Sequence, residues 1–294
     1  MQLPRKPPLR SSPTRPASAL ATTGVRPTKS RGQNFLVAPA VAHRIVSLAE
    51  IEPGDDVIEI GPGLGILTER IVEQPIGKLT LIELDPRLAQ RLVDRFAEID
   101  LVHVLNTDFL EIDLASELPA PAIAIGNLPF NVAAAILRKL CDDAMMFKRL
   151  VLMFQREVAE RIRARPGDDA YSALTVYTAL YWRIDAHFIV AAGSFHPRPK
   201  VDAEVLRFVP LNPRPFEASD ERAVLAVVRA SFAARRKTIR NSLIGALSIE
   251  PTKIDAALND AGINPSARAE TLAVGAFVSL ARAMRGDLIT LDNR

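Results

Sequence analysis

The chain has 294 residues, of which 48% are hydrophobic and 24% are charged, so the composition predicts a packed core and excludes disorder throughout. Its apolar runs fall short of the about 20 residues that span a bilayer, so no membrane helix is expected. The single cysteine, Cys141, excludes an internal disulfide and a cysteine-based zinc cluster. The net charge of +3 is unevenly distributed, because residues 1–31 hold seven Lys and Arg and no acidic residue, which leaves the remainder at −4.

Residues 1–28 are rich in Pro, Arg, Ser and Thr and show no hydrophobic period, which predicts a disordered basic tail. An organelle transit peptide is the alternative, although the prolines disfavour the amphipathic helix that such peptides form. The default expectation for the location is the cytoplasm of a bacterium.

Between residues 29 and 209, helical spacing alternates with short apolar runs, which predicts an α/β fold with a mostly parallel sheet and helices on both faces. Two last strands without an intervening helix predict an antiparallel edge. The predicted strands are residues 57–60, 79–84, 101–105, 122–125, 150–154, 187–191 and 204–209.

Three prolines within residues 210–215 indicate a linker. Beyond it, residues 221–247, 252–261 and 274–285 have helical spacing. Residues 210–294 are therefore expected to form a small all-α domain.

A glycine turn, Gly61-Pro62-Gly63-Leu64-Gly65, joins the first strand of the predicted sheet to a helix. Glycines at this point let the backbone approach a ligand and aim unpaired helix amides at it. The next strand ends at Glu83, where a nucleotide ribose would lie in a doubly wound sheet. The spacing is GxGxG rather than the pyrophosphate-binding GxGxxG, so a bound phosphate is not required. The glycine turn and Glu83 together favour an adenosine-type cofactor over a purely structural turn.

Asp108 follows the third strand and could accept a hydrogen bond from a purine amine, although a cap is the commoner role for such an Asp. The fourth strand leads into Asn127-Leu128-Pro129-Phe130. The Asn127 side-chain oxygen and the Leu128 carbonyl are two acceptors beside an aromatic ring, which can hold an exocyclic amine. The alternative is an Asn-Pro turn with Phe130 in the core.

The motifs of this chain, and the order in which they occur, resemble those of the ribosomal RNA adenine N6-dimethyltransferases. These are class I S-adenosylmethionine enzymes with a Rossmann-like sheet, and they dimethylate two neighbouring adenosines in the 3′-terminal hairpin of small-subunit rRNA. The resemblance covers about residues 29–285. It rests on residues 32–36, 61–65, Glu83, Asp108, 127–130 and 195–202.

The resemblance implies a cofactor pocket for S-adenosylmethionine and a catalytic loop that receives the target adenine. The implied cofactor residues are Asn34, Leu36, Gly61, Gly63, Glu83, Asp108 and Asn127, and the implied catalytic residues are Asn127, Leu128, Pro129 and Phe130. The family's loop usually ends in Tyr, so Phe130 keeps the stacking face but lacks the hydroxyl. No metal is expected, because the four histidines show no ligand spacing.

Substrate RNA needs an aromatic partner and cations. Phe195 is a candidate for stacking on a flipped base, with core packing as the alternative. Arg235, Arg236, Lys237 and Arg240 are placed in one predicted helix, where they favour phosphate contacts over a merely solvated face.

The expected partner is a small-subunit rRNA or a pre-30S-type ribosomal particle, and the enzyme is expected to act as a monomer in ribosome biogenesis. A large-subunit rRNA dimethylase of the macrolide-resistance type is the nearest alternative. An assembly or transcription factor whose methylation is incidental is the second.

Overall fold

The computed structural model describes residues 34–117 and 121–291, so the predicted tail over residues 1–28 lies outside the described residues. The strands within these ranges are β1 Phe35–Leu36, β2 Val57–Ile60, β3 Leu79–Ile82, β4 Val102–Leu105, β5 Ala122–Asn127, β6 Phe147–Gln155, β7 Trp182–Val190, β8 Phe195–His196 and β9 Ala203–Pro210. The α-helices are α1 Pro39–Leu48, α2 Ile66–Ile71, α3 Pro86–Phe96, α4 Leu114–Glu117, α5 Ala133–Asp142, α6 Arg156–Ile162, α7 Ala173–Ala179, α8 Glu221–Ser231, α9 Ile239–Ala246, α10 Pro251–Asp260 and α11 Val274–Leu291.

Seven strands form one sheet in the order β4-β3-β2-β5-β6-β9-β7. The first five strands in this order, from β4 to β6, run parallel to one another. Strand β9 is antiparallel to both of its neighbours, β6 and β7. All residues of β2 and β3 are buried, as expected for parallel strands that are covered on both faces. The predicted mostly parallel sheet with an antiparallel edge is confirmed.

Two apolar clusters cover the two faces of the sheet, because alternate side chains of each strand point to opposite sides. On one face, Val57 and Ile125 pack with Ile45 of α1. On the other face, Ile58 and Phe208 belong to a larger cluster that continues into the C-terminal helices. The helical C-terminal part therefore shares an apolar core with the sheet.

A small second sheet joins β1 to β8 in antiparallel register, with Leu36 opposite Phe195 and Phe35 opposite His196. The Val37 backbone N–H extends this pairing by donating to Ser194 O at 2.8 Å. The pairing brings the beginning of the described chain to the loop that follows β7.

Over residues 221–291 the chain forms α-helices that are joined by turns and one short 3-10 helix, as the sequence predicts. The prediction of one continuous helix over residues 221–247 is wrong, because α8 ends at Ser231 and α9 begins at Ile239. Thr238 caps α9 by accepting from the Asn241 backbone N–H at 3.3 Å, and the Ile239 N–H donates to Ala267 O at 2.7 Å instead of to the preceding turn. The division of the chain at residues 209 and 210 stays a prediction.

Within residues 34–117 and 121–291, none of the helices combines the length and the apolar character of a membrane span.

Candidate active site

The three glycines of the turn after β2 have a left-handed backbone conformation. Gly61, Gly63 and Gly65 have φ angles of +66°, +56° and +79°, in the left-handed region that favours glycine. A Cβ at Gly63 would lie 3.1 Å from the ring of Phe35, so this glycine also permits the close approach of β1. The glycine turn thus lies between the seven-stranded sheet and β1.

Glu83 fixes the glycine turn to the end of the neighbouring strand. Its Oε2 accepts from the Gly63 backbone N–H at 3.0 Å, and its Oε1 accepts from the Asp85 backbone N–H at 2.9 Å. The residue is 6% exposed, and this burial raises the pKa of Glu83 although the backbone hydrogen bonds oppose the shift. The carboxyl group is therefore held at the cleft wall in a defined orientation.

The loop after β5 lies beside the glycine turn, because the carboxyl ends of β2 and β5 are neighbours in the sheet. A Cβ at Gly126 would lie 3.0 Å from Ile60 O, so a larger residue here would press the two strand ends apart. Asn127 Nδ2 donates to Asn34 O at 3.1 Å, which leaves the amide Oδ1 to act as an acceptor. The Leu128 N–H donates to Met153 O at 3.3 Å and ties the loop to β6.

These segments enclose a cleft with about 630 Å³ of space, including the part that is open to solvent. Nine residues predicted for the cofactor or for catalysis line it. They are Asn34, Leu36, Gly61, Gly63, Glu83, Asn127, Leu128, Pro129 and Phe130. The cleft thus brings six of the seven predicted cofactor residues, all but Asp108, and the predicted acceptor loop into one site.

Glu59 is a cleft residue that the sequence reasoning missed. It lies in the middle of β2, is 1% exposed, and its Oε2 accepts from the Thr68 hydroxyl at 2.6 Å. Desolvation is the main cause that raises its pKa to about 8, and the negative charge of Glu83 acts in the same direction. An acidic residue within an otherwise apolar four-residue strand is the signal that could have identified it.

Two predicted site residues lie elsewhere. Asp108 does not line the cleft, and its Oδ1 accepts from the Leu110 backbone N–H at 2.9 Å, as a turn residue does. Phe195 is 3% exposed and packs in the apolar cluster that contains Leu36 and Ile45, so the structure favours the core-packing alternative.

The predicted cation cluster is not on one helical face, since three of its four members lie in the turn between α8 and α9. Arg235, Arg236 and Lys237 are exposed there, and the Arg235 guanidinium donates to Asp169 O at 2.5 Å. Arg240 lies in α9 and forms a two-point ion pair with Asp255 at 2.5 and 2.8 Å. Arg236 and Lys237 therefore offer their charge to a partner more readily than Arg240 does.

The family model described as ribosomal RNA adenine dimethylase matches residues 25–285. The chain belongs to this family. Similar dimethylase relatives include the ribosomal RNA small subunit methyltransferases A of Geobacter metallireducens, at 39% identity, and of Geobacter sulfurreducens, at 41%. Each alignment spans 266 residues and covers 89% of this chain and 96% of the relative.

Two solved structures share the dimethylase fold. A dimethyladenosine transferase from Plasmodium falciparum superposes with a TM-score of 0.74 at 24% identity, over 86% of this chain and 98% of that one. The 23S rRNA methyltransferase ErmE superposes with a TM-score of 0.65 at 28% identity, over 86% of this chain and all of that one. The first of these likenesses supports the fold alone.

Proposed function

We propose that the chain transfers methyl groups from S-adenosylmethionine to N6 of two neighbouring adenosines in the 3′-terminal hairpin loop of small-subunit rRNA. The observation that carries the proposal is the convergence of Asn127 to Phe130 with Glu83 and the glycine turn in one cleft. The small-subunit substrate is favoured over the large-subunit one by the relatives at 39% and 41% identity, since ErmE is 28% identical.

The cleft residues fit S-adenosylmethionine. A Cβ at Gly61 would meet only Pro129 Cδ, at 3.9 Å, and would otherwise project into the space that the cofactor needs. Glu83 is placed to accept from ribose hydroxyls, and Leu64 and Leu88 supply apolar wall. When bound, the cofactor supplies an electrophilic methyl group on a sulfonium.

The acceptor loop prepares a weak nucleophile. The lone pair of an adenine amine is delocalised into the ring, and acceptance of its two hydrogens by Asn127 Oδ1 and Leu128 O would turn that lone pair out of the ring plane. Phe130 would stack on the base. Pre-arranged geometry of this kind contributes on the order of 7 to 11 kcal/mol to catalysis.

The target base has to leave its stack before it can enter the cleft. Loop nucleotides of a hairpin meet this condition at low cost because they are already unpaired. The exposed side chains of Arg236 and Lys237 are proposed to hold the RNA through its phosphates.

The enzyme is proposed to act as a monomer on a small-subunit particle in the bacterial cytoplasm. The Geobacter relatives are bacterial proteins, which supports the proposed location.

Methyl transfer from labelled S-adenosylmethionine into unmodified small subunits and, separately, into unmodified large subunits tests the proposal. N6,N6-dimethyladenosine is expected from small subunits alone, with loss of transfer in Asn127→Ala. Asn259→Ala, an exposed position on α10, is the matched control and should retain transfer. Label in large subunits would favour an enzyme like ErmE, and the absence of label in both would favour an assembly or transcription factor.

A further inference from the structure

Residues 195–202 form a sequence motif to which the proposed methyl transfer assigns no role. Its first residue, Phe195, is buried in the apolar core. The motif lies beside the cleft, because β8 pairs with β1, and Phe35 and Leu36 of β1 line the cleft. None of residues 195–202, all of which the structure describes, lines the cleft itself. A role of this motif in the reaction therefore has to act through neighbouring residues.

Asp202, the last residue of the motif, fixes the segment on both sides of β8. Its Oδ1 accepts from the backbone N–H of Ala192 at 2.9 Å, and Ala192 begins the short 3-10 turn Ala192–Ser194 that precedes β8. The backbone carbonyl of Asp202 accepts from the Arg156 N–H at 3.0 Å, directly after β6. One residue thus joins the turn before β8 to the end of the loop after β8, and both to the main sheet.

The 3-10 turn in its turn holds β1. Ser194 O accepts from the Val37 N–H at 2.8 Å, and Leu36 lies opposite Phe195. Because β1 contains only two residues, its position depends on this pairing and on the packing of its side chains. A displacement of the turn would therefore displace β1.

The position of β1 determines how the Asn127 amide is oriented. Asn34 directly precedes β1, and its backbone carbonyl accepts from Asn127 Nδ2 at 3.1 Å. A carbonyl can only accept a hydrogen bond, so this contact selects the orientation in which Nδ2 faces Asn34 and Oδ1 remains as the acceptor. The proposed methyl transfer needs that Oδ1 for the adenine amine. If Asn34 O moved away, the amide could rotate and present its donor end to the amine instead.

We propose that Asp202 is a positioning residue for methyl transfer, which acts through the 3-10 turn and β1 on the orientation of the Asn127 amide. This inference rests on the proposed function. The rival role for the motif is an RNA contact through Arg198 and Lys200, which are exposed. The two roles differ in their kinetic effect, because a misoriented acceptor slows the transfer step, whereas a lost RNA contact weakens capture of the particle.

Single-turnover methyl transfer into unmodified small subunits, at saturating S-adenosylmethionine, separates the two roles. Asp202→Ala removes the acceptor for the Ala192 N–H, and the maximal rate should fall about 3- to 10-fold, as expected for one hydrogen bond. The small-subunit concentration that gives half of the maximal rate should stay unchanged. Asp202→Asn keeps an acceptor oxygen at the same place and should restore most of the rate.

Hydrogen exchange reports on the intermediate step. The Val37 amide is bound to Ser194 O in the natural chain, so it should exchange faster in Asp202→Ala and at nearly the natural rate in Asp202→Asn.

Asp55→Ala is the matched control for loss of stability. Asp55 precedes β2, at the opposite end of that strand from the cleft, and its carboxylate accepts from the Glu52 N–H at 2.9 Å and pairs with Lys148. This variant loses at least as many contacts as Asp202→Ala. It should be less stable than the natural chain and transfer methyl groups at the same maximal rate.

An unchanged maximal rate in Asp202→Ala, an equal loss of rate in Asp55→Ala, or a loss in Asp202→Asn as large as in Asp202→Ala would overturn the inference. A raised half-saturating concentration with an unchanged rate would also overturn it and assign the motif to RNA contact. Asp202→Glu moves the acceptor by one methylene, and it gives the same test of the maximal rate if Asp202→Ala does not fold. Absence of transfer by the natural chain would reject the proposed function, whereas transfer that Asp202→Ala leaves unchanged would reject this inference alone.

Discussion

Replacement of Gly61 by Ala tests whether the glycine turn is a wall of the cofactor site. Gly61 has a φ of +66°, and an Ala in this left-handed conformation costs roughly 1–2 kcal/mol of stability. The new methyl group would also stand in the cleft, since only Pro129 Cδ lies within 4 Å of it. Gly61→Ala should therefore lose both stability and cofactor affinity.

Gly262→Ala separates these two effects. Gly262 lies between α10 and α11 with a φ of +67°, and a Cβ there would have nothing within 4 Å. The backbone strain in the two variants is thus matched. Only Gly61→Ala adds an obstruction in the cleft, for which overpacking of about 1–3 kcal/mol corresponds to a roughly 5- to 150-fold loss of affinity.

Urea unfolding and titration calorimetry with S-adenosylmethionine measure the two quantities on both variants. Similar losses of unfolding free energy are expected in both, with weaker cofactor binding in Gly61→Ala alone. Equal affinities in Gly61→Ala and in the natural chain would refute the placement of the cofactor against this turn. Equal losses of affinity in both variants would show that general destabilisation, not obstruction, is responsible.

Three further predictions concern charge and packing. Because burial raises the pKa of Glu59 to about 8, the unfolding free energy of the natural chain should fall relative to that of Glu59→Gln as the pH rises from 4.5 to about 8, and urea unfolding across that window measures it; a constant difference would contradict the raised pKa. Charge reversal at Arg236 and Lys237 should weaken RNA binding and flatten its salt dependence. Arg240→Ala should change the salt slope less, because the Arg240 guanidinium is already paired with Asp255 in the natural chain. An equal slope in all of these proteins would contradict the proposed contacts. Phe195→Ala should lower the unfolding free energy by about 3–5 kcal/mol in urea unfolding because the ring is buried, and an unchanged stability would restore it as a candidate for base stacking.

The cleft was largely predictable because its parts follow consecutive strands of a parallel sheet. The glycine turn, Glu83 and the loop from Asn127 to Phe130 each come directly after an apolar run, and the carboxyl ends of such strands meet at one edge. Short apolar runs between turn residues were enough to locate them. Local sequence therefore predicted the contents of the site before the order of the strands was known.

Features that depend on contacts distant in sequence were not predictable in the same way. The spacing over residues 221–247 is helical throughout, yet the helix ends at Ser231 and restarts at Ile239, whose N–H donates to Ala267 O. The position of β9 between β6 and β7 likewise follows from tertiary pairing. Glu59 was missed because the apolar residues on either side of it in β2 predict an ordinary buried strand.

The apolar cluster that runs from the sheet into the C-terminal helices joins these two parts of the molecule. Ile58 of β2 and Val224 of α8 belong to the same packed cluster, so the sheet that carries the acceptor loop and the helix that leads to the turn at Arg236 share one apolar core. Under the proposed function, we expect the RNA strand to shift when the second adenosine enters the cleft, because bending the protein between these two parts would disrupt their shared core.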